Sequence, residues 1–221
     1  MVVPAYNEGS VIKDTLLPLI ESGYSIIVVD DGSQDDTWVT LQQLPIHALR
    51  HPINRGQGAA LQTAMSYALR QGAAIILHYD ADGQHSPTNI PTLIQPILDG
   101  KADIVLGSRF LRPEDRQAVP AGRRFLLQIA KIVNGIMTGL WLSDAHNGAR
   151  ALSTEAAKQI QLQEDGFAHA TEILQQMRAH KLHYVEVPTN IIYTDYSRFK
   201  GQRFWNAFDI LFDLFLGRIF K

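Results

Sequence analysis

The amino-acid sequence predicts an α/β fold built on a mostly parallel β-sheet with helices on both faces. Short runs rich in Val and Ile alternate along the chain with longer segments whose apolar residues recur at helical spacing. The short runs are apolar throughout, as in strands that helices cover on both faces. With 221 residues, of which 46% are hydrophobic, the chain is long enough for one domain around such a sheet.

The predicted elements follow one another in a regular order. Strands are predicted at residues 2–3, 25–30, 46–49, 74–79 and 103–106, with a later strand at 184–187. Helices are predicted at residues 10–22, 35–43, 56–71 and 88–98, and then at 123–142, 154–160 and 168–179. Residues 205–220 are rich in Phe, Leu and Ile. We therefore expect one domain over residues 1–203 and an amphipathic helix over 204–221.

Composition excludes several classes of site. The chain has no Cys, which excludes disulfides, a thiolate nucleophile and Cys-ligated metals. Its formal net charge is −2, with an acidic first half and basic stretches at residues 101–131 and 198–221. This balance does not favour nucleic acid, which usually binds a positively charged domain. No apolar run reaches the ~18 residues of a membrane span, so we expect a soluble protein or one attached to a membrane surface.

Polar residues follow each of the first five predicted strands. The sequences at these positions are P-A-Y-N-E, D-D-G-S, N-R-G-Q-G, D-A-D-G-Q-H and G-S-R. Parallel sheets bind ligands at the carboxyl ends of their strands. The five polar segments are therefore expected to lie along one edge of the sheet and to form the functional site.

The fourth segment contains a pair of carboxylates that is typical of a metal site. Asp80 and Asp82 repel each other unless a proton or a divalent cation lies between them. Mg²⁺ and Mn²⁺ take oxygen ligands and often complete their shell with substrate phosphates. Gln84 and His85 follow in the same turn and offer further ligands. The alternative is a polar turn that caps the next helix.

The second and third segments suggest contacts to a nucleotide. Asp30 and Asp31 stand at a strand end, where a carboxylate can accept a hydrogen bond from a ribose or a base. Residues 54–58 open a helix whose backbone amides can bind a phosphate. They can equally form a simple turn, because their spacing matches neither a P-loop nor a dinucleotide fingerprint. We interpret the neighbouring polar residues as turn and cap residues; these are Ser33, Asp35 and Asp36.

Cationic and aromatic residues supply the remaining candidates. Arg109, Arg123 and Arg124 lie near the fifth strand and the long helix, and guanidinium groups suit bidentate contact with phosphate. Ordinary surface arginines are the alternative. Near the first strand, Tyr6, Asn7 and Glu8 either line a nucleotide base or form a plain loop. Five histidines show no partner at catalytic or metal-binding spacing and are interpreted as structural or surface residues; these are His47, His51, His169, His180 and His183.

Taken together, the motifs resemble those of a known enzyme family. V-V-P-A-Y-N-E, V-V-D-D-G-S, N-R-G-x-G, D-A-D-G-Q-H-S-P, G-S-R-F and D-x-x-N-G-x-R occur in this order between residues 2 and 205. In order and spacing they resemble family 2 glycosyltransferases of the GT-A fold. The resemblance is closest to polyprenyl-phosphate sugar transferases of the dolichyl-phosphate mannose or glucose synthase type.

The resemblance implies roles for individual residues. Catalytic roles are implied for Asp82, Arg109 and Asp144, with Arg150 in the same motif as Asp144. A nucleotide-diphosphate sugar is implied to bind at Pro4, Ala5, Tyr6, Glu8, Asp31 and Asp80, and Mg²⁺ or Mn²⁺ at Asp80, Asp82 and Gln84. The acceptor phosphate is implied to meet Arg109, Arg123, Arg124, Ser197, Arg198 and Lys200. One departure concerns the acceptor: where the family often has a serine one turn after the acceptor arginine, this chain has Leu127 or Gln128.

The function expected from the resemblance is inverting transfer of a hexose to a polyprenyl phosphate at the cytoplasmic face of a membrane. Such a phosphate is already ionised, whereas a sugar hydroxyl acceptor would require a base, for which Asp144 is the first choice. Alternatives are a transferase that uses a saccharide or glycolipid hydroxyl, a nucleotidyltransferase, a non-catalytic nucleotide-sugar binding module, and a structural protein on a membrane. Residues 205–221 either insert into the membrane surface or pack on protein.

Overall fold

The computed structural model describes residues 1–119, 121–145 and 147–192, with the backbone alone at 115, 116, 118, 121, 123 and 126. These residues form a seven-stranded sheet in the order β3-β2-β1-β4-β6-β5-β7. The strands are β1 Val2–Ala5, β2 Ile27–Asp30, β3 His47–Arg50, β4 Ile75–His78, β5 Ile104–Ser108, β6 Arg150–Ser153 and β7 Tyr184–Pro188. This architecture confirms the predicted mostly parallel α/β fold.

One strand runs against the others. β6 pairs antiparallel with both β4 and β5, whereas all other pairings in the sheet are parallel. The sequence did not predict β6, because Arg150 ends a polar motif and only three residues of the strand follow it. The connection from β5 to β6 leaves the sheet and returns beside its starting point, where Gly107 N–H donates to the carbonyl of Ala149 at 2.9 Å.

Helices cover the sheet on both faces. They are α1 Ile12–Glu21, α2 Thr37–Leu41, α3 Gln57–Arg70, α4 Ile90–Leu98, α5 Pro113–Ala118, α6 Ala121–Thr138, α7 Thr154–Gln159 and α8 His169–Ala179, with a 3₁₀ turn at Pro87–Asn89. Adjacent strand residues point to opposite apolar layers: Val2 packs with α3 and α8, and Val3 packs with α1 and α4. Burial on both faces explains why the strands read as continuous apolar runs.

The long helix α6 begins and ends earlier than predicted. It stops at Thr138 rather than at residue 142, because Gly139 adopts a positive φ of 70° that ends the helix. Arg178 of α8 donates from Nη1 to the carbonyl of Thr138 at 2.9 Å. The preceding short helix, α5, was not predicted.

The outer face of α6 carries an apolar stripe in which every side chain is exposed. Its members are Phe125 (68% exposed), Ile129 (39%), Ile132 (52%) and Ile136 (73%). Their spacing places them along one side of the helix. No helix in the described ranges is both long and apolar enough to cross a bilayer.

Some predictions concern residues outside the described part of the chain. These are Ser197, Arg198 and Lys200, the predicted C-terminal helix over 204–221, and the side chain of Arg123.

Candidate active site

The predicted functional edge of the sheet contains a cleft of about 510 Å³. It lies where β1, β2 and β4 end, within the size range of small-molecule sites. The structure brings together in this cleft all of the residues predicted to bind a nucleotide sugar; they are Pro4, Ala5, Tyr6, Glu8, Asp31 and Asp80. Asp82 lines the same cleft. Four of the five polar segments therefore contribute to one cleft, as expected, whereas the fifth, at residues 107–109, is not part of its lining.

Asp80 and Asp82 have different environments within the cleft. Burial acts to raise the pKa of Asp80, but a hydrogen bond from His85 and the positive charge of Arg150 outweigh it, so this pKa lies below its usual value. His85 Nε2 lies 2.9 Å from Asp80 Oδ2. Burial, followed by the nearby charge of Asp80, raises the pKa of Asp82 to about 6. The surroundings therefore stabilise the negative charge of Asp80 but disfavour a second negative charge on Asp82.

The donor set of this pair fits a hard divalent cation. Two carboxylates that repel each other beside an open cleft gain stability when a cation binds between them. No group of three or more His, Asp or Glu side chains is arranged around a metal position in the part of the chain that the structure describes. Further ligands would therefore come from substrate phosphates or water, as is common for Mg²⁺.

Gln84 has a different position from the one expected of a metal ligand. Its side-chain Nε2 donates to Asp82 Oδ2 at 2.7 Å, and its backbone N–H donates to Asp82 Oδ1 at 3.0 Å. The residue thus fixes the orientation of Asp82. In this geometry Gln84 acts on the acidic pair through hydrogen bonds from nitrogen rather than by offering its amide oxygen.

The backbone approaches Asp80 closely on the side of residues 147–149. A Cβ atom at Gly148 would lie 2.4 Å from Asp80 Oδ2, which is closer than atoms can pack. Gln57 approaches from the other side, with Nε2 at 3.4 Å from Asp80 Oδ1. The Asp80 carboxylate is therefore enclosed by α3 and by the D-x-x-N-G-x-R motif, which explains why that motif requires glycine at position 148.

Asp31 is held by four protein contacts. His51 Nδ1 lies 2.7 Å from Asp31 Oδ1, and the backbone N–H groups of Arg55 and Gly56 donate to the carboxylate at 3.0 and 2.6 Å, with Arg55 also reaching its second oxygen at 3.2 Å. His51 Nε2 in turn lies 2.9 Å from Thr63 Oγ1. His51 is structural, as expected, and its specific task is to orient a residue of the cleft.

Two backbone amides in the first turn of α3 are bonded to another segment of the chain. The N–H groups of Gly58 and Ala59 donate to the carbonyl of Asp165 at 2.8 and 3.2 Å. Cβ atoms at Gly56 and Gly58 would lie 2.3 and 2.0 Å from carbonyl oxygens of residues 164–165. The glycines of N-R-G-Q-G therefore permit close packing of the segment 164–167. Residues 54, 56 and 57 of this motif still line the cleft, so the phosphate alternative for the motif stays a prediction.

The segment 164–167 forms a wall of the cleft that the sequence did not predict. Gly166 and Phe167 line the cleft, and the Phe167 side chain is 62% exposed. Glu172 of α8 accepts hydrogen bonds from the backbone of Gln163 and Glu164 at 2.9 and 3.0 Å and so anchors the segment. The two glycines at 56 and 58 are the one sequence feature linked to this contact, but they do not identify the segment that approaches them.

The second segment forms the predicted turn, in which Asp35 Oδ1 accepts a hydrogen bond from Thr37 N–H at 3.0 Å, but the N-cap residue of α2, Asp36, makes no side-chain capping bond. Polar side chains of the segment also bind the loop after β1. Ser33 Oγ accepts a hydrogen bond from Asn7 N–H at 2.9 Å, and Asp35 Oδ2 accepts one from Gly9 N–H at 2.9 Å. Thr37 Oγ1 accepts one from Glu8 N–H at 2.8 Å. These bonds fix the loop after β1, which carries two of the residues that line the cleft.

Arg109 and Asp144 form a buried ion pair at the end of β5. Arg109 Nε donates to Asp144 Oδ2 at 2.6 Å and Nη2 donates to Oδ1 at 2.7 Å, while the backbone N–H of Arg109 reaches Oδ2 at 3.1 Å. Each residue is 4% exposed. Both carboxylate oxygens of Asp144 are therefore engaged by Arg109, and the guanidinium has a fixed orientation.

A second cavity of about 370 Å³ lies beside this pair. Arg124 lines it together with Phe110, Leu111, Pro113 and Gln117. Its walls combine apolar side chains with one cation, a combination that suits an amphiphilic anion. The structure thus places Arg124 in one cavity with Phe110, the residue that follows Arg109. A shared acceptor site of the two arginines stays a prediction.

Arg150 lies beneath both regions. It is 3% exposed and donates from Nη2 to the carbonyl of Asn147 at 3.1 Å. Burial lowers the pKa of Arg150 to about 10, while the nearby charges of Asp80 and Asp144 act to raise it. Arg150 therefore supplies positive charge between the two acidic residues.

The last described residues are attached to the acidic turn. Ile192 N–H donates to the carbonyl of Gln84 at 2.8 Å, and Ile191 forms a β-bridge with His85. Asn89 Nδ2 donates to the carbonyl of Asn190 at 2.9 Å. The described chain consequently ends beside Asp82.

Comparisons with known proteins concern the sequence and the fold of this chain. The sequence model described as glycosyl transferase family 2 matches residues 1–161. An uncharacterized protein of Methanocaldococcus jannaschii is 37% identical over all of this chain and 92% of its own length. A Methanococcus voltae protein named UDP-N-acetylglucosamine–dolichyl-phosphate N-acetylglucosaminyltransferase is 31% identical over all of this chain and 96% of its own length.

The fold also matches a solved structure. Glucosyl-3-phosphoglycerate synthase from Mycobacterium tuberculosis, in complex with Mn²⁺, UDP and glucosyl-3-phosphoglycerate, superposes with a TM-score of 0.68 at 21% identity. The match covers 88% of this chain and 71% of that one. At this identity the likeness shows a common fold.

Proposed function

Because this chain belongs to glycosyl transferase family 2 and is a glycosyltransferase, we propose that it transfers a hexose or N-acetylhexosamine from a nucleotide-diphosphate sugar to a polyprenyl phosphate. In this proposal the reaction inverts the anomeric carbon and depends on Mg²⁺ or Mn²⁺. It takes place on the cytoplasmic face of a membrane, to which the enzyme attaches peripherally. The named relative from Methanococcus voltae supports the choice of donor and acceptor.

The Arg109–Asp144 pair favours a phosphate acceptor over a hydroxyl acceptor. A hydroxyl acceptor requires a base that it can reach, whereas Asp144 is 4% exposed and faces the guanidinium of Arg109. A lipid phosphate is ionised at neutral pH and requires positioning by cations instead. Arg124, in the neighbouring cavity, supports such positioning.

The proposed reaction is a single displacement. A phosphate oxygen of the acceptor attacks the anomeric carbon while the bond from that carbon to the donor diphosphate breaks, so the configuration inverts and a nucleoside diphosphate leaves. Asp80 and Asp82 would hold the divalent cation, which when bound offsets the charge that develops on the leaving group. Gln84 keeps Asp82 oriented, and Arg124 orients the acceptor. The buried Arg109–Asp144 pair fixes the chain next to Phe110 in the wall of the cavity that Arg124 lines.

Asp31 supports a donor whose base carries a ring N–H. An ionised carboxylate accepts hydrogen bonds and does not donate them. Uracil and guanine present a ring N–H to such a group, whereas cytosine and adenine present a ring nitrogen that accepts. Asp31 lines the cleft and is held in place by His51 and the amides of residues 55–56. UDP-N-acetylglucosamine is therefore the first donor to test.

The apolar stripe on α6 supports attachment to a membrane surface. Ile132 and Ile136 expose more than half of their surface, and Arg124 and Lys131 lie one position before members of the stripe. Apolar side chains next to cations suit the boundary between acyl chains and anionic head groups. The predicted tail over residues 204–221 would add to this surface.

Product analysis tests the proposal. The protein is incubated with Mn²⁺, UDP-N-acetylglucosamine and a short polyprenyl phosphate, and the lipid is weighed by mass spectrometry. We expect the mass of the lipid to increase by one sugar residue, and we expect one equivalent of UDP to be released. Release of pyrophosphate, or transfer to hydroxyl acceptors in preference to the lipid phosphate, would contradict the proposal.

A matched pair of variants tests the acidic pair. Asp82→Asn is expected to reduce metal-dependent turnover by about 100-fold or more, because it removes a negative ligand, while Tm changes little. Asp14→Asn, which changes an exposed carboxylate on α1, is the control and is expected to leave turnover unchanged. Full activity of Asp82→Asn would remove the proposed metal role.

A further inference from the structure

A carboxylate on β7 binds the segment that carries Asp144. Glu186 accepts hydrogen bonds from the backbone N–H of Ser143 at 2.8 Å and from Ser143 Oγ at 2.6 Å. It also accepts one from the backbone N–H of Asp144 at 3.3 Å. The residues are about 40 positions apart in the chain, so this contact is formed by the tertiary fold. Glu186 thereby fixes the backbone that presents the Asp144 carboxylate.

The same carboxylate also reaches the backbone on either side of Arg109. Ser143 Oγ lies 2.6 Å from Ser108 Oγ, and Ser108 Oγ accepts a hydrogen bond from Phe110 N–H at 3.1 Å. A carboxylate only accepts, so Ser143 donates its hydroxyl proton to Glu186 and the Ser108 hydroxyl donates to Ser143. The chain of hydrogen bonds therefore runs in one direction, from Phe110 through both serines to Glu186.

These two connections meet the ion pair from opposite sides. One holds Asp144 through its own N–H and its neighbour Ser143, and the other holds Arg109 through Ser108 and Phe110. Ser108 is fully buried, and Glu186 is half-buried. None of the hydrogen bonds made by Glu186 involves the Arg109 or Asp144 side chain. Glu186 acts on that pair through backbone and hydroxyl groups.

We propose that Glu186 is a positioning residue that fixes the Arg109–Asp144 pair and, through Ser108, the backbone of Phe110, which lines the same cavity as Arg124. This inference rests on the proposed function for its consequence in catalysis, because it takes that cavity to hold the acceptor phosphate. Its structural content, that Glu186 controls the order of the Arg109–Asp144 pair, is independent of the acceptor. Small errors of position are costly in catalysis, so a residue outside the cleft affects turnover in this way.

Glu186→Gln tests the inference with an almost isosteric change. The Ser143 N–H contacts both Glu186 oxygens, at 2.8 and 3.0 Å, so an amide NH₂ at one position places two donors against each other. We expect kcat/KM for polyprenyl phosphate to fall at least tenfold, with the Kd for UDP within twofold of the wild type. Glu155→Gln, an exposed residue on α7 whose side chain is 73% accessible, is the control with no expected effect.

A measurement on the free protein separates this inference from the proposed function. In selectively ¹⁵N-arginine-labelled protein, the Arg109 Nε–H should exchange slowly with water, since it is buried and bonded to Asp144 at 2.6 Å. Arg109→Lys assigns the resonance. Glu186→Gln is expected to accelerate this exchange at least tenfold. If the wild type fails to glycosylate a polyprenyl phosphate, the proposed function fails, and the exchange rate still decides the role of Glu186.

Three outcomes would overturn the inference. They are an unchanged exchange rate, an unchanged kcat/KM for the acceptor, and a parallel loss of UDP affinity and acceptor turnover that follows a lowered Tm, which would mark a merely structural residue. If Glu186→Gln does not fold, Ser108→Ala removes one of the two connections and leaves the bonds from Ser143 N–H and Asp144 N–H. The same exchange and kinetic measurements then apply to that variant.

Discussion

The packing of residues 164–165 on α3 makes Gly58→Ala a sharp test of the cleft geometry. Alanine is the better helix former by up to about 1 kcal/mol, so helix propensity alone predicts a more stable protein. In the structure, however, a Cβ at this position would lie 2.0 Å from the carbonyl oxygen of Glu164 and 2.9 Å from His169 Cβ. Ordinary contact begins near 3.4 Å, so the neighbouring backbone has to move by roughly 1.4 Å.

The cost of this movement follows from the contacts it disturbs. Overpacking typically costs about 1–3 kcal/mol. If the segment moves away instead, the bonds from Gly58 and Ala59 N–H to Asp165 are weakened, at about 0.5–1.5 kcal/mol each. After the gain in helix propensity is subtracted, we expect the free energy of unfolding to fall by about 1 kcal/mol.

Urea unfolding at 25 °C, monitored by circular dichroism, measures this change. With an unchanged slope m, the shift of the urea midpoint gives the change in the free energy of unfolding. Gly166→Ala is the stability control, because nothing lies within 4 Å of its Cβ position, and it should change the free energy of unfolding by less than about 0.5 kcal/mol. The Kd for UDP should rise in Gly58→Ala, since Gly166 and Phe167 line the cleft. A Gly58→Ala protein at least as stable as the wild type would refute the packing argument.

Two further predictions concern the pH dependence of folding and the membrane surface. Burial is the main cause that lowers the pKa of His169 to about 4 from the usual 6.5. Between these two pH values the unfolded chain binds a proton that the folded chain does not, so the free energy of unfolding decreases as the pH is lowered. His169→Asn should remove up to about 3 kcal/mol of this loss in urea titrations between pH 7 and pH 4; an identical pH profile would contradict it. The double variant Ile132→Ser and Ile136→Ser should weaken co-sedimentation with anionic liposomes several-fold, whereas Val39→Ser, exposed on α2, should not. Equal sedimentation of all three proteins would rule out the stripe as a membrane contact.

The sequence was most informative where local pattern determines structure. The apolar runs of β1, β2 and β4 and the polar residues after them were recognised because burial on both faces imposes continuous apolarity, and a parallel sheet collects strand ends at one edge. This was sufficient to predict that Asp31, Asp80 and Asp82 meet in one cleft, as the structure shows.

The features that were missed depend on contacts between distant parts of the chain. Glu186 was recognised only as part of a strand, because its partners lie 42–43 positions earlier in a segment without regular structure. The role of His51 depends on Asp31, 20 positions away. The glycines at 56 and 58 were assigned to a turn or a phosphate site, since the backbone that approaches them is more than 100 residues later. Sequence spacing alone does not reveal such partners.

The antiparallel course of β6 gives the enzyme a modular layout. The chain leaves the sheet after Ser108 and re-enters it at Arg150 on the adjacent strand. The connection carries Arg124 and the cavity that it lines. A hydrogen bond between Gly107 and Ala149 links the two ends of the connection. Residues 109–149 therefore form a cassette whose two ends lie side by side. Transplanting the corresponding cassette from a relative would exchange the cavity that Arg124 lines, together with Gly148, whose backbone approaches Asp80.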